Sequence, residues 1–216
     1  MRYPLSSSPD GWYRAFDAVE FELYPGERVG IVGRNGVGKS TLLRLMARIF
    51  APTSGVVVWA PNTNVSLLSL GLGFRFDLTG RENALLSCLL QGHSKKAAKE
   101  CLPGIEAFCE LGQFFDQPVK TYSSGMRARL GFGTALLNRS SVILIDEILG
   151  VGDAAFKSKA REALKHQFSE ERSAVIVSHA DFQITSLCER AVWLDAGGIK
   201  IAGDPETVLG AYRDAE

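Results

Sequence analysis

Short apolar runs rich in β-branched residues alternate along the chain with stretches of helical period. The runs RVGIVG (28–33), SVILID (141–146), SAVIVS (173–178) and AVWLD (191–195) have almost no polar positions, so they read as strands buried on both faces. FELYPGE (21–27) and VVVWAPNTNVSLLSL (56–70) predict further strands near the front, including an antiparallel β portion. LDAGGIKIAG (194–203) predicts a hairpin turning at Gly197 and Gly198, and Asp204 followed by Pro205 predicts the N-cap and first residue of a closing helix. Between about 70 and 141 the alternation stops, and helices are predicted over 81–91, 95–111 and 124–137 with no strand among them. In the second of these, Cys101, Ile105, Phe108 and Leu111 form one packing face, and Pro103-Gly104 predicts a break. The pattern as a whole predicts an α/β fold with a mostly parallel sheet and a set of helices inserted into it.

Composition narrows the class. The 216 residues fit one domain, with an α/β core over about 1–80 and 140–216 and a helical subdomain over about 81–139. Lys+Arg and Asp+Glu cancel at 24 each, so the basic footprint of a nucleic-acid binder is absent and no nucleic-acid partner is expected. Cys88, Cys101, Cys109 and Cys188 form no CxxC pair and sit in apolar helical contexts, which predicts buried, reduced thiols and a cytosolic setting. No apolar run reaches the ~18 residues of a membrane span, and MRYPLSSSPDG lacks a signal-peptide core, so any membrane role is expected to run through a partner.

The chemistry begins at GIVGRNGVGKSTLL (30–43), which contains Gly33-x-x-x-x-Gly38-Lys39-Ser40 between a predicted strand and a predicted helix. That is the P-loop pattern in the context its physics requires. Backbone N–H groups along Gly33, Arg34, Asn35, Gly36, Val37 and Gly38 turn inward around phosphate, and the helix N-terminus at Ser40 and Thr41 adds partial positive charge. Lys39 reaches the β- and γ-phosphates, and the Ser40 hydroxyl ligates Mg²⁺. VILIDE (142–147) then delivers Asp146 and Glu147 to a strand's carboxyl end, where α/β sheets bind ligands. Asp146 is expected on the Mg²⁺ side and Glu147 as the group that positions or deprotonates the attacking water. His179 follows SAVIVS directly and can reach the γ-phosphate or that water, whereas His93 and His166 read as surface residues.

TYSSGMRARLGFG (121–133) opens what reads as a helix with two serines and a glycine, a start suited to receiving an anion. With this segment in place the chain resembles the ATPase subunit of ABC transporters over essentially its whole length, YSSGM standing where that family has its signature. The resemblance implies that Ser123, Ser124, Gly125 and Met126 contact the γ-phosphate of ATP bound to the other subunit of a homodimer. LGLGFRFDLTGREN (70–83), YSSGMRARLGFG (122–133), DEILGVGDAAF (146–156) and LC-RAVWL--G (187–197) are similar to the ATPases that export bacterial polysaccharides. Their D-loop corresponds here to Gly150, Val151, Gly152 and Asp153. The implied protein hydrolyses ATP with Mg²⁺ at the cytoplasmic face of the membrane, and it drives polysaccharide export through a separate multi-spanning permease.

Three departures from the family pattern stand out. No Gln occurs between the P-loop and Gln91, so the Q-loop glutamine is missing and Ser69 lies closest to its position. The chain begins where the family already has its adenine-stacking aromatic, which makes Tyr3 the expected stacking residue, with Trp12 and Tyr13 as rivals and a first strand that is short or absent. It also stops at Glu216, soon after the last predicted helix, so a carbohydrate-binding extension of the kind some relatives append is not expected. A soluble ABC-type ATPase of repair or translation is the rival reading. The chain carries neither the long coiled coil of the repair class nor the tandem cores of the translation class. A nucleotide-binding module that does not hydrolyse is a third, and Glu147 and His179 argue against it.

Overall fold

The computed structural model describes residues 2–4, 12–68, 73–136, 140–146, 153–168 and 172–215, with side chains from Ala15 onward. Two short strands, β1 (Arg2–Pro4) and β2 (Trp12–Arg14), pair antiparallel with Tyr3 opposite Tyr13. The main sheet contains β3 (Arg28–Val32), β4 (Val65–Leu68), β5 (Val142–Asp146), β6 (Ser173–Val177), β7 (Arg190–Asp195) and β8 (Gly198–Gly203). Their order is β4-β5-β6-β3-β7-β8. β5, β6, β3 and β7 run parallel, and β8 returns antiparallel from β7. The helices are α1 (Lys39–Met46), α2 (Gly80–Leu90), α3 (Lys95–Cys109), α4 (Ser124–Ala135), α5 (Ala154–Gln167), α6 (Asp181–Leu187) and α7 (Pro205–Arg213).

Strand period explains the layering. Ile31 of β3, Val142 and Leu144 of β5, and Val175 and Val177 of β6 share one core with Leu42, Leu43, Leu45 and Met46 of α1. The opposite face of the sheet carries α6 and α7, and a Cβ on Gly30 would stand 2.6 Å from Ile184 of α6. Central strands covered on both faces have no polar alternation to show, which is why they read so plainly as apolar runs.

The chain divides into two compact units, Met1–Leu67 with Ser140–Glu147 and Ser169–Glu216, and Leu68–Arg139 with Ile148–Phe168. The helical portion read from the sequence ended at 139, but the second unit also takes in 68–80 and α5. Phe156 of α5 packs edge-on against Phe108 of α3 and Phe132 of α4, with ring centroids 5.8 and 6.0 Å apart. A second core of Ala84, Cys88, Leu102, Ile105, Phe115 and Leu130, with their neighbours, fills this unit.

Several expectations are corrected. FELYPGE forms no strand: Tyr24 to Glu27 is a turn built on Pro25-Gly26, with Gly26 at φ 75° and the Glu27 N–H donating to the Tyr24 carbonyl at 3.0 Å. Residues 56–60 are likewise outside any strand, with Val56 and Val58 about 80% exposed, and the two segments line an open groove of about 1150 Å³ over Leu42, Leu45 and Met46. Apolar alternation without a ladder partner does not make a strand. The β7–β8 hairpin turns at Ala196-Gly197, one residue earlier than expected, and Gly198 begins β8 at φ 134°. α3 continues through Pro103, which lies on the exposed side, where the carbonyl of exposed Lys99 can turn to water. Burial of Ala98, Leu102, Ile105 and Cys109 on the other side offsets the roughly 3 kcal/mol cost of an internal proline. Leu111, expected at the end of this helix, is buried just beyond it.

One buried polar residue organises the front of the helical unit. Asn83, 1% exposed, accepts from the Arg75 N–H at 2.7 Å and donates to the carbonyls of Arg75, Leu78 and Thr79. Asn83→Leu preserves volume but orphans this set, so it is expected to cost about 2–4 kcal/mol, read as a lower denaturant midpoint. Unchanged stability would show that the 75–79 loop does not depend on this side chain.

Candidate nucleotide site

The P-loop residues Gly33 to Gly38 connect β3 to α1. Gly33 has φ 150° and Gly38 φ 109°, and a Cβ on Gly33 would stand 2.3 Å from the Leu194 carbonyl oxygen, so a side chain is excluded at both positions. Side chains cap α2, α3, α4, α5 and α7 at Thr79, Ser94, Ser123, Asp153 and Asp204. At α1 the N-cap is Gly38, with no side-chain cap, and this helix end presents backbone N–H groups as a phosphate cradle does. Lys39, buried to 7% exposure, curls back and donates to the carbonyls of Gly33 and Arg34, the latter at 2.9 Å. Its ammonium thereby spans the mouth of the loop. Ser40 and Thr41 follow, half-buried, while Arg34, Asn35 and Gly36 are exposed at the tip and Val37 is half-buried.

Strand order brings the other expected residues to the same edge. Ile31 of β3, Val177 of β6 and Asp146 of β5 lie in one row across three neighbouring parallel strands. Asp146 therefore stands two strand spacings, about 10 Å, from the strand that enters the P-loop. His179 lies two residues beyond Val177, exposed in the turn between β6 and α6. Ser178 shapes that turn by accepting the Ala180 N–H at 3.0 Å and bonding Gln183 Oε1 at 2.6 Å. Glu147, Gly150, Val151, Gly152 and Ser69 lie outside the described residues, as do the side chains of Tyr3, Trp12 and Tyr13.

The donor chemistry suits a divalent cation. Ser40 and Asp146 offer a hydroxyl and a carboxylate, hard oxygen ligands of the kind Mg²⁺ takes beside phosphate.

The signature residues lie in the second unit. Ser123 is the N-cap of α4, its Oγ accepting the Met126 N–H at 3.2 Å. A hydroxyl that accepts in this way still has its O–H to donate. Ser123 and Ser124 are exposed, Gly125 and Met126 half-buried, and a Cβ on Gly125 would meet nothing nearer than Ser123 Oγ at 3.8 Å. Ser123, Gly125 and Met126 line a cavity of about 290 Å³ with Glu110, Arg129 and Asp153. Asp153 caps α5 by accepting the Phe156 N–H at 2.9 Å and is paired with Arg129, and these two contacts hold its carboxyl below the ordinary aspartate range. Arg129 was not legible as a site residue, although it stands three and four residues beyond Met126 and Gly125, on their face of the helix.

Gln91, the first glutamine after the P-loop, donates to the Thr134 carbonyl at 3.0 Å and caps α2, a packing role. The four cysteines are free thiols, three of them buried and Cys101 half-buried. Burial pushes Cys88 up to about 11 and Cys109 and Cys188 up to about 12, out of the reactive range. Among the described residues no helix is long and apolar enough to cross a membrane.

A parallel sheet with a P-loop after one strand and an aspartate closing a strand two places away defines a P-loop nucleotide-binding protein. Residues 16–150 match the ABC transporter family, and the chain belongs to it. It is 36% identical over 214 residues to the teichoic acids export ATP-binding protein TagH of Shouchella clausii, spanning 99% of this chain and 59% of that protein. It is 41% identical over 201 residues to the ABC transporter protein AbcA of Aeromonas salmonicida, covering 93% of this chain and 65% of that one. With the O-antigen export system ATP-binding protein RfbB of Klebsiella pneumoniae it shares 37% identity over 203 residues, 94% of this chain and 82% of the relative. The chain thus spans about three fifths of the first two of these relatives. Among solved structures it resembles the dimeric ATP-binding cassette MJ0796 bound to ADP and Pi. The TM-score is 0.78 at 21% identity, over 94% of this chain and 95% of that one, which shows a shared fold.

Proposed function

We propose that this chain is the ATP-hydrolysing subunit of a polysaccharide exporter, working as a homodimer with a separate multi-spanning permease at the cytoplasmic face of the membrane. The observation that supports this chemistry is that Ile31, Val177 and Asp146 share one row across three neighbouring parallel strands, the P-loop following the first strand and His179 the second. The direction of transport and the class of cargo rest on the relatives, which are export ATP-binding proteins for teichoic acids and O-antigen.

In this reading Lys39 turns from the Gly33 and Arg34 carbonyls to the β- and γ-phosphates of ATP, and the backbone N–H groups of the loop wrap them. Ser40 and Asp146 would hold Mg²⁺, which would supply neutralisation of the phosphate charge. Glu147 orients the attacking water and accepts its proton, and His179 donates to the γ-phosphate as charge develops there. Tyr3 stacks on adenine. Ser123, Ser124, Gly125 and Met126 close the neighbouring subunit's site, and closure and reopening of the dimer drive the permease.

Two measurements test this reading. Lys39→Ala removes a desolvated ammonium contact worth about 2–3 kcal/mol, so ATP affinity should fall about 30- to 150-fold while the fold persists by circular dichroism. Unchanged affinity would contradict the P-loop assignment. Affinity purification from a native membrane extract should bring down one multi-spanning protein with the chain. A chain recovered wholly without membrane protein would favour the soluble-ATPase reading instead.

A further inference from the structure

We propose that Arg34 is a positioning residue for nucleotide binding, one whose guanidinium ties the tip of the P-loop to the C-terminal end of α7. The inference rests on the P-loop reading given above, and every residue it uses belongs to the α/β unit. Arg34 is exposed, and its Nη2 donates to the Ala215 carbonyl at 3.3 Å, 181 residues away in sequence. Its own carbonyl accepts from Lys39 Nζ at 2.9 Å. One residue thus holds the ammonium of the loop through its backbone and a neighbouring helix end through its side chain.

The far end of this tether suits a cation and is itself fixed. The last carbonyls of a helix have no intrahelical partner and carry partial negative charge, which favours a guanidinium beside them. α7 is capped by Asp204 at its start and buries Val208 and Leu209 as it packs on β7 and β3. In its last turn the Tyr212 ring meets the Trp193 ring edge-on, with centroids 5.5 Å apart, and Arg213 pairs with Asp181 at 3.5 Å. Trp193 is buried and stands in register with Val32, the last residue of β3 before the P-loop. The next residue, Leu194, supplies the carbonyl that leaves no room for a side chain on Gly33.

Support therefore reaches the loop at two points. β7 braces its start at Gly33, α7 braces its tip at Arg34, and the Trp193–Tyr212 contact joins the two braces. The tip needs such a brace, because Gly36 and Gly38 have φ of 80° and 109°, and glycines give an unrestrained loop many conformations. A loop that must be ordered as ligand binds loses affinity by the cost of that ordering. The Arg34 tether lowers the cost by holding the loop in shape before nucleotide arrives. A single exposed hydrogen bond contributes modestly, so its loss is worth a severalfold change in affinity, well short of the loss of Lys39. Arg34 places no side-chain atom on phosphate in this scheme; it acts through the backbone of the loop.

The test is a double-mutant cycle of Arg34→Ala and Tyr212→Ala in the full chain, with Arg34→Lys as the rescue, reading equilibrium binding of ATP and of ADP, kcat, KM and the thermal midpoint. Arg34→Ala is expected to weaken ATP and ADP alike by about fivefold, because the loop wraps the α- and β-phosphates that both nucleotides carry. KM should rise in step with the dissociation constant, with a smaller loss in kcat at saturating ATP. Arg34→Lys keeps a cation at the helix end and should stay within about twofold of the parent chain. Tyr212→Ala frees the last turn of α7 and should weaken both nucleotides about threefold, with the double variant losing no more than the worse single. Unchanged binding in Arg34→Ala, or losses that multiply in the double variant, would overturn the tether. A loss confined to ATP would also overturn it, since the guanidinium would then act on the γ-phosphate directly. That comparison of ATP with ADP decides the matter even where Tyr212→Ala folds poorly. Lys39→Ala measured alongside separates the two failures. If Lys39→Ala loses affinity and Arg34→Ala does not, the tether alone is wrong; if neither loses affinity, the P-loop assignment beneath it is wrong.

Discussion

Glu147→Gln is expected to bind ATP as the parent chain does and to hydrolyse it about 100-fold more slowly or worse, the range over which a positioned general base contributes. The amide matches the carboxylate in shape but accepts no proton from water at neutral pH. The P-loop, Lys39 and Ser40 lie on a different strand and helix, so binding should persist. The ATP-bound state then accumulates, and a dimer should be resolved by gel filtration in the presence of ATP and Mg²⁺. Phosphate release within about threefold of the parent rate would remove Glu147 from the reaction, because loss of a working base costs far more than that. Glu147 directly follows Asp146, the last residue of β5, whose register beside β6 is set by five successive pairs.

How much of this was legible in the chain depended on whether the signal was local. The buried strands β3, β5, β6 and β7 announce themselves because both of their faces are covered. The P-loop does so because its glycines, lysine and serine are fixed by spacing alone. Asp204-Pro205 gave the start of α7 for the same reason: a cap is decided within four residues. Phe21–Tyr24 and Val56–Ala60 misled because strand formation is settled by a partner: Phe21, Leu23 and Trp59 pack against the core without a ladder, and Val56 and Val58 stand exposed. Pro103 misled in the opposite sense, since tertiary burial on one face of α3 outweighs a local break. The pairing of Arg129 with Asp153 joins residues 24 apart in sequence, and the contacts of Phe156 that place α5 among the other helices span similar or larger separations. No period or spacing encodes such contacts. Asn83 was passed over because a polar residue in a helical stretch reads as surface, and only burial reveals that its four hydrogen bonds hold the preceding loop.

The central claim is that the anion received at Ser123–Met126 is the γ-phosphate of ATP held by another copy of this chain. It is tested by a mixed dimer that carries Lys39→Ala in one subunit and Gly125→Asp in the other. Glu147→Gln is present in both to retain ATP, and the dimer is isolated through two different tags. Gly125 has room for a side chain, so the introduced aspartate places negative charge in the cavity without displacing the helix. If each site joins one subunit's P-loop to the other's signature, one site collects both defects and the other is intact. If each subunit supplies its own signature, both sites are damaged. The account predicts one occluded ATP per mixed dimer and essentially none in either parent homodimer. No occlusion in the mixed dimer, with both chains folded, would contradict it.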